Sequence, residues 1–362
     1  MGELDRPETL AVDRLGLLGV AMGAPQDLEA ARAASLAVDI PFPPEAVRDV
    51  AICGMGGSAI AADLVAGAFA ERLRRPVGVV RDYALPGWVG EDTLVLLSSY
   101  SGNTEETLTC AMEALDRRAL MVAVTSGGKL RDFYGAQGVP VIPAPTGYQP
   151  RAALVHLLVP LVVTLGRLGV IPDPAADLDA ARAASTAAVA AYGPDVPEEA
   201  NPAKQLADAL NGVVPLVYGA QSTAAVAYRW KCQLNENAKV PAYWAALPEL
   251  DHNEIVGFEG MGQLGQQVAV VMLREARQHR QVERRFELTR ELIDPSVRST
   301  YGVVGEGEGT LASVFDLVLL GDFVSLYLAC LLGVDPGPVD IIERLKDRLA
   351  STGYGRAASP PG

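Results

Sequence analysis

At 362 residues the chain is long enough for two ordinary domains with their own cores, and its 49% apolar and 20% charged residues suit a globular enzyme or binding protein. A formal net charge of −14 opposes binding to nucleic acid or an anionic membrane, so any anion site must be made from dipoles and a few placed cations. Cys53, Cys110, Cys232 and Cys330 form no C-x-x-C pair and the three histidines are scattered, so neither a disulfide framework nor a zinc site is expected. A cofactor of another kind is not expected either.

The opening, MGELDRPETLAVDRLG, has no basic stretch followed by an apolar one, so no signal peptide and a cytoplasmic placement are expected. Residues 1–45 read as a helical segment closed by Pro41, Pro43 and Pro44. From there short apolar runs alternate with helical stretches. Val50–Cys53, Pro76–Val80, Leu94–Leu97, Ala119–Val124 and Val139–Ile142 predict five strands, and the alternation predicts an α/β fold with a doubly wound parallel sheet over residues 46–170. In such a sheet ligands bind beyond the carboxyl ends of the strands, where every glycine- and hydroxyl-rich loop of this half falls. The longest apolar stretch, around Leu154–Leu165, is taken as too short to span a bilayer.

Residues 171–205, rich in alanine, proline and acids, predict a helix and an exposed connection. Afterwards the rhythm restarts. Val213–Tyr218, Val268–Leu273 and Tyr301–Val304 predict strands and Leu311–Leu332 a long apolar helix, so residues 206–335 read as a second copy of the same architecture. Residues 336–362 predict a terminal helix and a Gly/Pro/Ser-rich tail.

The most informative stretch is Val95–Thr107, VLLSSYSGNTEET, where an apolar strand gives way to hydroxyls and glycine and then to an acid-rich helix start. Such a turn points backbone N–H groups and a helix dipole at one small volume. Ser99, Ser101 and Thr104 would add three neutral donors for a phosphate. The same residues also fit a plain helix start capped by Asn103 and Glu106, and the turn alone does not separate the two readings. Gly54-Met55-Gly56-Gly57-Ser58 lacks the third glycine of a dinucleotide loop and reads either as a close approach of backbone to a small ligand or as a tight turn.

Arg151 follows the fifth strand, where a cation balances a phosphate or an oxyanion, although a lone arginine is more often a surface charge. Glu236, in QLNENAK, is a carboxylate among amides suited to proton transfer or a solvated helix end. His252, in PELDHNE, sits in a polar loop and can move protons near neutrality. His156 and His279 read as bystanders, and Lys346 reads from spacing alone as a solvated helix face.

Five blocks in order, CGMGGSAIAADL, SSYSGNTEETL, PRAALVHLL, NENAKV and LPELDHNEIVG, resemble the bifunctional phosphoglucose/phosphomannose isomerases, which are built from two tandem sugar-isomerase (SIS) domains. The resemblance implies a metal-independent aldose–ketose isomerase acting on hexose 6-phosphates through a cis-enediolate. It implies that Ser99, Ser101 and Thr104 hold the phosphate and that Gly56, Gly57 and Ser58 line the sugar. Glu236 would be the base, His252 and Lys346 would open the ring, and Arg151 would stabilise the intermediate. A homodimer is implied, with His252 reaching in from the other subunit. Relatives often carry a threonine close to the second proline of the segment that here reads Asp335-Pro336-Gly337-Pro338-Val339, a position linked to acceptance of the mannose epimer. The alternatives are a non-catalytic SIS sensor of sugar phosphates, against which a proton-shuttling carboxylate argues, and an aminating enzyme.

Overall fold

Runs of valine, leucine and isoleucine bounded by glycine, proline or acids become most of the nine strands in the computed structural model, which describes residues 2–351. They are β1 (Asp49–Cys53), β2 (Val77–Val80), β3 (Thr93–Ser98), β4 (Leu120–Thr125), β5 (Val141–Pro143), β6 (Val214–Ala220), β7 (Tyr243–Leu247), β8 (Val268–Glu275) and β9 (Ser299–Gly305). The α-helices are α1 (Pro7–Leu10), α2 (Leu17–Met22), α3 (Ala24–Ala37), α4 (Gly56–Ala68), α5 (Glu105–Asp116), α6 (Leu154–Arg167), α7 (Ala175–Tyr192), α8 (Pro202–Ala209), α9 (Ser222–Glu236), α10 (Arg280–Ile293), α11 (Thr310–Leu331) and α12 (Asp340–Ser351).

The contacts divide the chain into two compact units that are not simple consecutive segments. Among the described residues, 26–176 with 338–351 form one, and 2–25 with 177–337 form the other. The N-terminal segment 1–45, expected as a piece by itself, is therefore shared between them, and the tail beyond Ser351 lies outside the described residues.

In the first of these units five parallel strands run in the order β2-β1-β3-β4-β5. β1 and β3 are buried along their whole length, as expected of strands covered on both faces. One face is sealed by a core that includes Cys53, Val95, Leu97, Leu108, Ala111 and Leu130. On α5, Glu105 and Glu106 occupy the first turn, where the helix dipole favours negative charge, and the helix stops at Arg117 before Arg118 turns to φ 57°.

The other unit holds four parallel strands in the order β7-β6-β8-β9. Counted from β6, this is the same order as the first sheet with its fifth strand missing. β7 is not among the expected strands: YWAAL is bracketed by Pro241 and Pro248, and its first two residues are exposed at the sheet edge, so it shows no buried apolar run. The expectation that Leu154–Leu165 is the longest apolar stretch is also corrected. α11, at 22 residues with a mean hydropathy of 2.0, is long and apolar enough to cross a membrane. Yet 89% of that window is buried within the fold, because a helix apolar on every side is covered on every side.

Candidate active site

The order of the first sheet reverses between β1 and β3, and a doubly wound sheet opens its ligand crevice at that reversal, beyond the carboxyl ends of the two strands. The loop leaving β1 is Gly54–Met55 and the loop leaving β3 is Ser99–Thr104, so the glycine motif and the hydroxyl motif stand side by side at the switch point. They are close enough that a methyl group on Gly54 would come within 2.8 Å of the Ser98 carbonyl oxygen.

Within the hydroxyl loop the side chains organise one another. Ser99 Oγ lies 2.8 Å from Thr104 Oγ1 and accepts from the Gly102 N–H at 3.1 Å, while Ser101 Oγ accepts from the Asn103 N–H at 3.2 Å. Thr104 is the residue that precedes α5, in extended conformation, and its side chain does not cap the helix. The capping pair expected at Asn103 and Glu106 gives way to a tertiary contact: Asn103 Oδ1 accepts the Lys129 N–H at 3.1 Å. The start of α5 thus keeps N–H groups for an outside acceptor, beside three neutral hydroxyls.

A second loop holds this one from below. After β4, Gly127 and Gly128 run against Ser101–Asn103: a methyl on Gly102 would meet the Gly127 oxygen at 1.8 Å, and one on Gly128 would meet the Ser101 oxygen at 2.5 Å. Both Gly102 and Gly128 have φ of +67°, which a side chain rarely tolerates. The TSGGKL segment is therefore the bed of the hydroxyl loop.

Gly57 brings in the third element. A methyl there would approach the Pro150 oxygen at 3.2 Å and the Arg151 Cα at 3.5 Å, so the glycine turn and the arginine strap between β5 and α6 touch along their backbones. Arg151 is 4% exposed, and Ser58 is buried on α4. The same unit thus brings together Gly56, Gly57, Ser58, Ser99, Ser101, Thr104 and Arg151. Lys346 also belongs to it, on α12, where its side chain is exposed.

Glu236 and His252 belong to the other unit. Glu236 is the last residue of α9, half-buried, and its carbonyl accepts from Lys239 Nζ, which also reaches the Pro336 carbonyl at 3.3 Å. The helix is fixed to α11 by Trp230 Nε1 donating to the Leu317 carbonyl at 2.7 Å and by Arg229 and Gln233 donating to the Asp322 carboxylate at 2.7 and 2.9 Å. Burial pushes the Asp322 carboxyl up while the Arg229 guanidinium opposes that shift. Asn237, just past Glu236, is buried and donates to Ser325 Oγ at 3.0 Å.

His252 is exposed at the end of a short 3-10 turn, Glu249–His252. Its neighbour Asp251 anchors that turn by accepting from Arg285 Nη1 and Thr289 Oγ1, each at 2.8 Å. His279, expected to be a bystander, is a structural cap: its Nδ1 accepts from the Gln281 N–H at the start of α10. Sequence reasoning passes over Tyr100, Tyr148 and Asp27, which hold the arginine strap. Tyr148 donates to Asp27 across 121 positions of sequence, a separation at which no local pattern can signal a contact.

Residues 199–349 match the family described as the bacterial phospho-glucose isomerase C-terminal SIS domain. A crystal structure of a glucose-6-phosphate isomerase like protein from Thermus thermophilus aligns with a TM-score of 0.62 at 27% identity, over 93% of this chain and 98% of that one. Two parallel sheets of one strand order, with a hydroxyl-bearing loop at a switch point, define a phosphosugar isomerase of the tandem SIS class. A bifunctional phosphoglucose/phosphomannose isomerase from Caldicellulosiruptor bescii is 39% identical over 327 residues, covering 90% of this chain and 96% of that protein, and one from Aquifex aeolicus is 36% identical, covering 83% and 90%. The chain belongs to the family of bifunctional phosphoglucose/phosphomannose isomerases.

Proposed function

We propose that the protein interconverts glucose 6-phosphate and mannose 6-phosphate with fructose 6-phosphate by proton transfer between C1 and C2, without a metal, and does so in the cytoplasm, since a doubly charged sugar phosphate does not cross a bilayer unaided. The observation that carries this reading is the loop from Ser99 to Thr104: three hydroxyls and a helix start at the switch point, locked from beneath by glycines.

Ser99, Ser101 and Thr104 hold the phosphate, and this remote binding energy orients the reacting carbons. Gly56, Gly57 and Ser58 line the sugar: open space lies where a side chain on Gly56 would stand, and Gly57 lets the turn approach the Pro150–Arg151 backbone. His252 and Lys346 protonate and deprotonate the ring oxygen and the anomeric hydroxyl, which opens the pyranose. Glu236 takes the C2 proton of the open aldose, leaving a cis-enediolate, and returns it to C1 of the ketose. Arg151 offsets the charge that develops on the two oxygens, and its burial strengthens the effect. Because C2 becomes planar in the intermediate, the proton can return to either face, and both epimers feed one ketose. His252 acts on the substrate held by its dimer mate.

The test is a coupled assay with both aldose phosphates in excess EDTA. Turnover is expected to persist, to vanish in Glu236→Gln with ligand binding retained, and to fall strongly in His252→Ala. Mixing the two variants after reversible dissociation is expected to restore about a quarter of the wild-type rate, because half of the dimers are mixed and each mixed dimer has one intact site. Tight binding with no turnover in the wild-type protein would make it a sensor. No recovery on mixing would return His252 to its own subunit.

A further inference from the structure

The strap that carries Arg151 is tied down at three points, and one of them is a half-buried polar cluster with no role in the chemistry above. Tyr148, three residues before Arg151, donates its hydroxyl to both oxygens of Asp27 on α3, at 3.0 and 3.1 Å. His156 on α6 packs edge-on against the Tyr148 ring with centroids 5.1 Å apart, and its Nε2 lies 3.3 Å from Asp27 Oδ1. That imidazole nitrogen meets the carboxylate off the hydrogen-bonding direction, so the phenol, not the imidazole, makes the directed bond. Burial, and then Asp27, pushes the Tyr148 hydroxyl up to about 12, which keeps it a donor.

The second tie runs into the phosphate loop. The backbone N–H of Tyr148 donates to the hydroxyl of Tyr100 at 2.8 Å, and that hydroxyl donates onward to the Pro145 carbonyl at 2.9 Å. Tyr100 lies between Ser99 and Ser101, and its own carbonyl accepts from the Ser126 N–H at 2.9 Å. The third tie is the backbone contact of Pro150 and Arg151 with Gly57.

We propose that Asp27 and Tyr148 are positioning residues for Arg151, and that Tyr100 couples their strap to the loop from Ser99 to Thr104. This rests on the reading of Arg151 as the cation that offsets the enediolate. A guanidinium that must meet charge as it develops gains its effect from being fixed beforehand. The strap between β5 and α6 is ordered locally by a turn in which the Ala152 and Ala153 N–H groups donate to the Gln149 carbonyl, and that turn as a whole needs a constraint from outside it. The carboxylate of Asp27 supplies that constraint from a helix distant in sequence.

The experiment compares kcat, KM, inhibition by inorganic phosphate and the unfolding midpoint in Tyr148→Phe, Asp27→Ala, Asp27→Asn and the double variant Asp27→Ala/Tyr148→Phe, with Arg151→Lys alongside. Tyr148→Phe and Asp27→Ala are each expected to lower kcat about 10- to 100-fold, the range for slight misplacement of a reacting group. KM and phosphate inhibition should stay within about twofold of wild type, since the ground-state phosphate contacts are untouched. Asp27→Asn keeps an acceptor for the phenol and should recover most of the rate. The double variant should be no slower than the single ones, because both remove one tie. An unchanged kcat in Tyr148→Phe, a KM that rises in step with the loss, or losses that multiply in the double variant would each overturn the proposal while a slow Arg151→Lys kept the reading of Arg151 intact. Full activity in Arg151→Lys would remove that reading, and the positioning role with it.

Discussion

Gly102 carries two demands at once: a φ of +67° and a place against the Gly127 oxygen where a methyl would sit 1.8 Å away. The obstacle is backbone, so it cannot swing aside as a flexible side chain would. Gly102→Ala is therefore expected to lose about 2–4 kcal/mol of stability, the sum of left-handed strain and overpacking, and to raise KM for hexose phosphates sharply. Gly147→Ala is the comparison, because Gly147 also has positive φ, +97°, but nothing lies near its missing Cβ. It should show the strain alone, about 1 kcal/mol, in urea unfolding. Equal losses in the two variants would mean that packing of the two loops is not what shapes the phosphate seat. At this scale the sequence is readable where the signal is local. Serine and threonine spacing marks the hydroxyl loop, whereas the role of Gly128 as its bed depends on a loop from the next strand.

α9 places Glu236, and what places α9 is its seam with α11. Gly321 lies against the indole of Trp230, so a methyl there would fall 2.3 Å from Nε1, the atom that donates to Leu317. Gly321→Ala must push the two helices apart or turn the indole and break that bond. We expect about 1–3 kcal/mol of destabilisation from overpacking, together with a fall in kcat as the end of α9 shifts. Unfolding and steady-state kinetics on one preparation check both effects, and a destabilised variant with unaltered kcat would show that Glu236 does not depend on the seam. Strands such as β1 and β3 are legible because they are buried on both faces and read as unbroken apolar runs. β7 is not, since an exposed edge beginning with Tyr243 and Trp244 carries no such run. The shared N-terminal segment is hidden for another reason: helical periodicity shows that α2 and α3 are helices but not which core each one joins.

For the molecule as a whole, the net charge of −14 and three carboxyls, one buried and two half-buried, point in the same direction. Burial raises Asp63, Asp316 and Asp322 above the ordinary value of 3.8, although Arg81 and Arg229 pull the first and last of them back. A carboxyl with a raised native pKa takes up its proton more readily folded than unfolded, so lowering the pH toward that value stabilises the fold. Partial neutralisation of the acidic surface adds to this by easing self-repulsion. Asp5 works the other way: its hydrogen bond from the buried Lys204 ammonium, 3.0 Å long, holds it below 3.8, so its contribution is complete at neutral pH and fades only as pH falls through that depressed value. The unfolding midpoint is expected to rise as the pH is lowered from neutrality toward the raised carboxyl values and then to drop in stronger acid. Lys204→Met should sit below wild type at neutral pH and converge toward it in acid, where Asp5 is protonated in both proteins. Asp316→Asn should flatten the rise without touching the acid limb. A wild-type midpoint that falls steadily from neutral pH would mean that the raised carboxyls do not govern the profile, and parallel curves for Lys204→Met and wild type would detach Asp5 from the acid transition.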